Sequence, residues 1–259
     1  MKIAILIKGA VSKVSGKFNL PGQLYREGEY INYRAVYNSI VEHIITPNPD
    51  CDFNFFIHSW NTDLEESLSE VYNPVASRFD DNNLFKEEII KTLTAAGCDH
   101  SCFALTSHAL SIKLGCELIE QYVDLTGDPY DLVIFYRPDI MMWKDMKLSD
   151  YDKDVITLDN WQDFRGEMHF VMNYENMIRF KGVYDSISPS NPPKEHCLFN
   201  NFLLNVLKAN VQQDDIIAGV DEAPVRYIHH QIVAGAVSME TLMSYGFSKA
   251  ELESYVNIY

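Results

Sequence analysis

The sequence predicts an α/β fold in a single domain, with a mostly parallel central sheet flanked by helices. Three observations predict it. The short runs ILI, FNFFI and LVIF are continuously apolar rather than alternating, as strands covered on both faces are. Segments of helical period lie between such runs, the order expected of strands joined by crossover helices. The 259 residues, 47% hydrophobic and 12% aromatic, suffice for one sizeable core.

Each element follows from its local pattern. Lys2 to Ile7 is a buried first strand closed by Lys8-Gly9. A loop rich in glycine and lysine, KVSGKFNLPGQLYREGEY, comes next. From Tyr30 to Ile45 the apolar residues Ile31, Val36, Ile40, Val41, Ile44 and Ile45 recur at helical spacing, and TPNPD stops that helix with two prolines. Phe53 to Ile57 is a second buried strand, ending in His58-Ser59-Trp60. The polar Asn61 to Glu70 reads as a short helix or loop, and VYNPVASRF as a third short strand. Asn83 to Ala96 is helical with Gly97 just past its end. In Ser107 to Leu125, the residues Leu110, Leu114, Leu118 and Tyr122 form one stripe, and Gly127 ends that helix. Strands follow at Leu132 to Tyr136, at DVITLD (154 to 159) and at MHFVMN. Tyr174 to Tyr184, Glu195 to Ala209 and Met239 to Val256 are expected to be helical, with SPSNPP breaking the first from the second.

Composition removes several function classes. A net charge of −16 repels phosphate backbones and anionic lipid, so neither nucleic acid nor a membrane surface is an expected partner. Local cations still serve a small anionic ligand, because charges are screened beyond about 8 Å. No window approaches the ~20 uninterrupted apolar residues of a membrane helix, and MKIAILIKGAV lacks a cleavage site. A soluble cytoplasmic protein is expected. Five cysteines at irregular spacing fit free thiols better than a disulfide framework, and CDHSC lacks the second ligand pair of a zinc site. No Gly-x-Ser-x-Gly, His-Glu-x-x-His or Gly-x-Gly-x-x-Gly occurs. Asp50-Cys51-Asp52 and Asp152-Lys153-Asp154 precede apolar runs and read as solvated turns.

In open α/β sheets, ligands sit beyond the carboxyl ends of the strands. The residues there are Lys8-Gly9, His58-Ser59-Trp60, Arg137-Pro138-Asp139 and Asp159-Asn160. A carboxylate such as Asp139 suits a hard Mg2+ or Mn2+ held against a diphosphate, with Arg137 adding fork-like donors. The same tripeptide also reads as a salt-bridged strand stop. Lys8 suits a phosphate contact, with Gly9 allowing close backbone approach, or it caps the strand in solvent. His58 and Trp60 flank a base or sugar face, or simply pack.

Taken in order, ILIKGA, FFIHSW, VYNP, TSHALSIKLGCELIEQY, GDPYDLVIFYRPDI and HFVMNYENMIRFKGVY resemble a group of GT-A-type nucleotide-sugar glycosyltransferases. That group is known from bacterial surface-polysaccharide loci and large DNA viruses. The resemblance spans roughly residues 1 to 205, and its specificity lies in the ordered set. It implies a GT-A-like (Rossmann-like) fold, with residues 1–145 binding the nucleotide sugar and 146–259 the acceptor. It implies a metal-dependent hexosyl- or pentosyltransferase that moves a sugar from a nucleoside diphosphate sugar, a UDP-sugar first, to a saccharide hydroxyl. Arg137 and Asp139 stand where such proteins carry Arg-x-Asp, at the Mn2+ or Mg2+ and the diphosphate. Lys8-Gly9 stands where they carry Arg-Gly, keeping the charge and losing the fork. Glu167 and Asp163 are the candidate catalytic bases, with Asp159 a rival. Glu195 matches an acidic helix start, and His229, beside His230, is a candidate metal imidazole. Two alternatives stay open: a non-catalytic nucleotide- or sugar-binding protein, and a sugar nucleotidyltransferase using Lys13 and Lys17 of GAVSKVSGK.

Overall fold

The computed structural model describes residues 1–11, 30–142, 144–159, 169–194, 198–214 and 237–256. Among them, seven strands form one sheet: β1 (Lys2–Gly9), β2 (Asp52–Ser59), β3 (Ala76–Phe79), β4 (Leu132–Tyr136), β5 (Ile156–Asp159), β6 (Phe170–Met172) and β7 (Val211–Asp214). Their order across the sheet is β3-β2-β1-β4-β6-β5-β7. Every pairing is parallel except those of β6, which runs antiparallel to both β4 and β5. The predicted mostly parallel α/β sheet is therefore the observed one.

Alternation along β1 shows how the layers form. Ile3, Ile5 and Ile7 point to one face and Ala4 and Leu6 to the other, all buried. The first face is covered by α1 (Tyr33–Ile40), continued by a π-helical turn at Val41–Ile45, by α2 (Glu65–Tyr72) and by two C-terminal helices, α7 (Met239–Ser244) and α8 (Lys249–Val256). The second face is covered by α3 (Lys86–Ala95), α4 (Phe103–Thr126), α5 (Tyr174–Phe180) and α6 (Leu198–Asn201), the last continued by a π-helical turn to Val206. α4 packs directly on β1, β2 and β3. A Cβ on Gly115 would meet Leu6 Cδ2 at 2.6 Å, so glycine is what lets helix and β1 approach.

Most expected elements appear with shifted ends. The helix expected from Ser107 begins at Phe103, and the one expected over 30–45 is α1 with its π turn. Residues His100–Thr126 are long and apolar enough, by length and composition, to cross a membrane, a candidate the sequence reading did not anticipate. In the fold they include the central helix, packed on β1, β2 and β3. β7 was not expected, because VQQD is polar. At the edge of the sheet among the described residues, it is held by its backbone ladder to β5, and its side chains need not be apolar. The single helix expected over Met239 to Val256 is two. Gly246 sits at φ +103, and Ser248 and Glu251 cap α8 reciprocally, Glu251 N–H to Ser248 Oγ at 3.2 Å and Ser248 N–H to Glu251 Oε2 at 2.7 Å.

Candidate functional site

The parallel strands β1, β2, β4 and β5 end at one rim of the sheet, and antiparallel β6 starts there. The buried Lys, Asp and His residues among those described are Lys8, His43, His58, Asp139, Asp159 and His169. All but His43 stand at this carboxyl rim. At the opposite rim the charges are paired nearer solvent, as Lys2 with Asp128 at 2.7 Å and Lys153 with Asp131 at 2.6 Å. Burying an ion costs several kcal/mol even after relaxation, a cost that bears on Lys8, Asp139 and Asp159 at this rim.

Lys8 is wholly buried, which removes the solvated-cap reading. It shares the α4 face with Ala4 and Leu6, and α4 brings His108 to it. Lys8 Nζ lies 2.5 Å from His108 Nε2 and 5.6 Å from the centroid of the Phe170 ring. Which of the two nitrogens donates depends on the tautomer of the His108 ring. Gly9 follows at φ +94, a conformation that favours glycine, and nothing lies within 4 Å of the position a Cβ would take.

His169 directly precedes β6. Its ring is wholly buried, and among the described residues neither nitrogen has a hydrogen-bond partner. Burial first, and then the charge of Lys8, push its pKa down to about 3, so the ring is neutral at physiological pH. Its backbone N–H donates to Asp159 Oδ1 at 3.3 Å, tying the end of β5 to the start of β6. His108 and His169 were both missed from sequence.

Arg137 and Asp139 form a bidentate pair: Nε to Oδ1 at 2.9 Å and the terminal nitrogen to Oδ2 at 2.8 Å. Asp139 is wholly buried while Arg137 keeps 25% of its side chain exposed. Behind them Ile140, Met141 and Met142 are buried against the α1 face, and the Met142 N–H donates to Ser39 Oγ at 3.3 Å.

His58, in register with Lys8, is wholly buried. Its Nδ1 lies 2.7 Å from Ser111 Oγ and its Nε2 3.2 Å from Asp80 Oδ2, which also accepts from Arg78 Nε at 2.6 Å. Burial lowers the His58 pKa against the opposing pull of Asp80, and the hydrogen bond from His58 is the main cause lowering that of Asp80. Trp60 is 7% exposed, edge-on to His58 at 4.7 Å and tilted against Phe85 at 5.5 Å. Both rings are taken up in packing at the end of β2.

Glu167, Asp163, Glu195, His229, His230, Asn160, Trp143, Lys13 and Lys17 lie outside the described residues. The structure thus brings Lys8, Gly9, His58, Arg137, Asp139 and Asp159 to one rim. The Arg137 fork takes one lone pair on each Asp139 oxygen, and among the described residues no three His, Cys, Asp or Glu side chains cluster; His229, the other residue expected to hold a metal, lies outside them.

No protein-family model matches the chain, and no curated protein does. Among solved structures, a candidate nucleotide-diphospho-sugar transferase from Desulfovibrio desulfuricans G20 is similar over 98% of this chain and 97% of its own, at 13% identity and a TM-score of 0.45. Mouse xyloside xylosyltransferase 1, in its apo form, is similar over 82% of this chain and 77% of its own, at 12% identity and a TM-score of 0.37.

Proposed function

We propose that this protein is a glycosyltransferase that moves a sugar from a nucleoside diphosphate sugar, a UDP-sugar first, to a saccharide hydroxyl. The observation that carries the reading is the gathering of buried Lys8, Asp139, Asp159 and His169, with the partly exposed Arg137, at the carboxyl rim of a mostly parallel sheet. The ordered motifs quoted above support it.

In this reading residues 1–145 hold the donor. Lys8 and Arg137 place positive charge where the diphosphate leaves, and the φ of Gly9 keeps the chain beside Lys8 free of a side chain. His58 and Trp60 form the packed wall that fixes the end of β2 beneath the nucleotide. The bond from the anomeric carbon to the diphosphate oxygen breaks, the leaving group keeps the electron pair, and fixed cations stabilise it more than they stabilise the intact donor. If configuration inverts, Glu167 or Asp163 takes the acceptor hydroxyl proton as the new C–O bond forms. A Mn2+ or Mg2+ requirement, with Asp139 and His229 as ligands, is an arm of the test.

The test is a thermal-shift screen of UDP, GDP, ADP and CDP with Mn2+ or EDTA, followed by donor turnover with the corresponding sugar nucleotides. One nucleoside diphosphate should raise the apparent Tm by mass action, and Lys8→Met and Arg137→Met should each weaken it at least tenfold. No response to any nucleotide refutes the reading. Pyrophosphate as product assigns a nucleotidyltransferase, and tight binding without turnover on any acceptor assigns a binding protein.

A further inference from the structure

α4 runs against β1. Gly115 of the helix meets Leu6, and His108 meets Lys8. The stretch from Gly115 back to His108, about 10 Å of helix, thus matches the step from Leu6 on to Lys8, about 7 Å of strand. The start of α4 therefore stands at the carboxyl rim, and His108 lies near that start.

Lys8 Nζ and His108 Nε2 are 2.5 Å apart. A contact between two nitrogen bases holds one proton. Either an ammonium donates to a neutral ring, or Nε2–H donates to a neutral amine. With both groups protonated neither nitrogen accepts, and two cations touch. The pair therefore titrates as a unit rather than as two independent groups. Lys8 is wholly buried, with the Phe170 ring 5.6 Å from its Nζ. His108 is half-buried and rests edge-on against Phe199 of α6 at 5.1 Å. Solvent reaches the pair at His108 and not at Lys8.

Among the described residues, the charged and titratable groups around the pair are His58 and Asp80 toward β2 and β3, Arg137 and Asp139 past the end of β4, Asp159 at the end of β5, and His169 ahead of β6. His58 is bonded at both nitrogens, and His169 is wholly buried and neutral. Of these three imidazoles, His108 combines contact with a cation and access to water.

We propose that His108 is a positioning residue for the donor diphosphate: it holds the Lys8 amine at the rim, and the two nitrogens meet the diphosphate as one cation that gains a second proton when the anion binds. The role rests on the glycosyltransferase reading. An anion beside the pair favours its protonated form. Each nitrogen then donates to the anion instead of sharing a proton with the other. Binding takes up a proton and so tightens as pH falls. A lone lysine, charged throughout this range, gives no such slope.

Calorimetry on the full chain at pH 8, 7 and 6 tests it. The probe is UDP-glucose, or the GDP-, ADP- or CDP-glucose of whichever base the thermal-shift screen selects, because an intact sugar diphosphate carries no group that titrates in that range. Wild-type affinity should rise about threefold from pH 8 to pH 6. His108→Gln keeps a side-chain acceptor for Lys8 and cannot titrate, so it should stay within about threefold of wild type at pH 8 and lose the slope. His108→Leu should lose about tenfold, as Lys8→Met does. A flat wild-type profile, a glutamine variant that keeps the slope or is as weak as the leucine variant, or a leucine variant with wild-type affinity overturns the role. Histidine NMR without nucleotide gives a second readout. The His108 signal, assigned by its loss in His108→Gln, should titrate about one pH unit higher in Lys8→Met, and an unmoved titration overturns the pair. A shifted titration with no binding of any sugar nucleotide overturns the donor reading and this role with it, and leaves the Lys8–His108 contact as structure.

Discussion

Replacing His169 by leucine separates two consequences of burying an imidazole without partners. The ring titrates near pH 6.5 in an unfolded chain and at about 3 in the fold, where burial and Lys8 oppose its charge. Between those values the unfolded state binds the extra proton. Stability from this residue is therefore complete above pH 6.5 and is lost as pH falls toward 3. The shift corresponds to about 5 kcal/mol at full extent and about 2 kcal/mol by pH 5, at ~1.4 kcal/mol per pKa unit. At neutral pH the variant also removes two unpartnered buried polar atoms, each costing about 1–3 kcal/mol, so His169→Leu should match or exceed wild-type stability by about 1–2 kcal/mol. Urea midpoints of both proteins at pH 7.5, 6, 5 and 4 give the difference curve, in which the carboxylates common to both cancel. The variant should gain on wild type by about 2 kcal/mol between pH 7.5 and 5. Parallel curves would refute the burial argument. A loss above about 3 kcal/mol at pH 7.5 would show that the imidazole has a partner.

Two further substitutions probe the rim and the core. Arg137→Met leaves Asp139 buried without its fork and should cost about 3–5 kcal/mol, whereas adding Asp139→Leu should recover most of that loss, since an apolar pair replaces a buried ion pair with little penalty. A urea double-mutant cycle reads the coupling, and additive losses would mean that the two side chains do not act as a pair. Gly115→Ala gains about 1 kcal/mol of helix propensity but drives a methyl into Leu6, an overpacking that costs about 1–3 kcal/mol. The variant should be less stable by up to about 2 kcal/mol, and combining it with Leu6→Ala should cost less than the two single changes summed.

The sheet was legible because strands buried on both faces must be apolar throughout, and ILI, FNFFI and LVIF are. That gave β1, β2 and β4, and with them the rim residues Lys8, His58, Arg137 and Asp139. What was missed has physical reasons. The residue that follows an apolar run stands at the carboxyl rim only where the strand is parallel to its neighbours. β6 runs the other way, so its rim residue precedes it, and His169 was passed over. His108 sits 100 residues from Lys8 and meets it only because α4 crosses β1 at Gly115. The break between α7 and α8 did carry a signal: Gly246 followed by Ser248-Lys249-Ala250-Glu251, a capping box, inside an otherwise helical period.

Access, rather than side-chain identity, decides what each rim group does. Ser111, His58 and Asp80 are linked serine to imidazole to carboxylate, the order found in nucleophilic hydrolases. Yet Ser111 is wholly buried within α4, among the residues that pack against the sheet, so no acyl group reaches its Oγ. The chain of bonds instead satisfies both nitrogens of a buried imidazole and orients Asp80 toward Arg78, which fixes the ends of β2 and β3. His169, a few strands away, has the same burial and neither bond. One fold thus holds two buried imidazoles in opposite states. The satisfied one accounts for itself as structure. The unsatisfied one lies beside Lys8 at the rim, where the reversal of β6 places it.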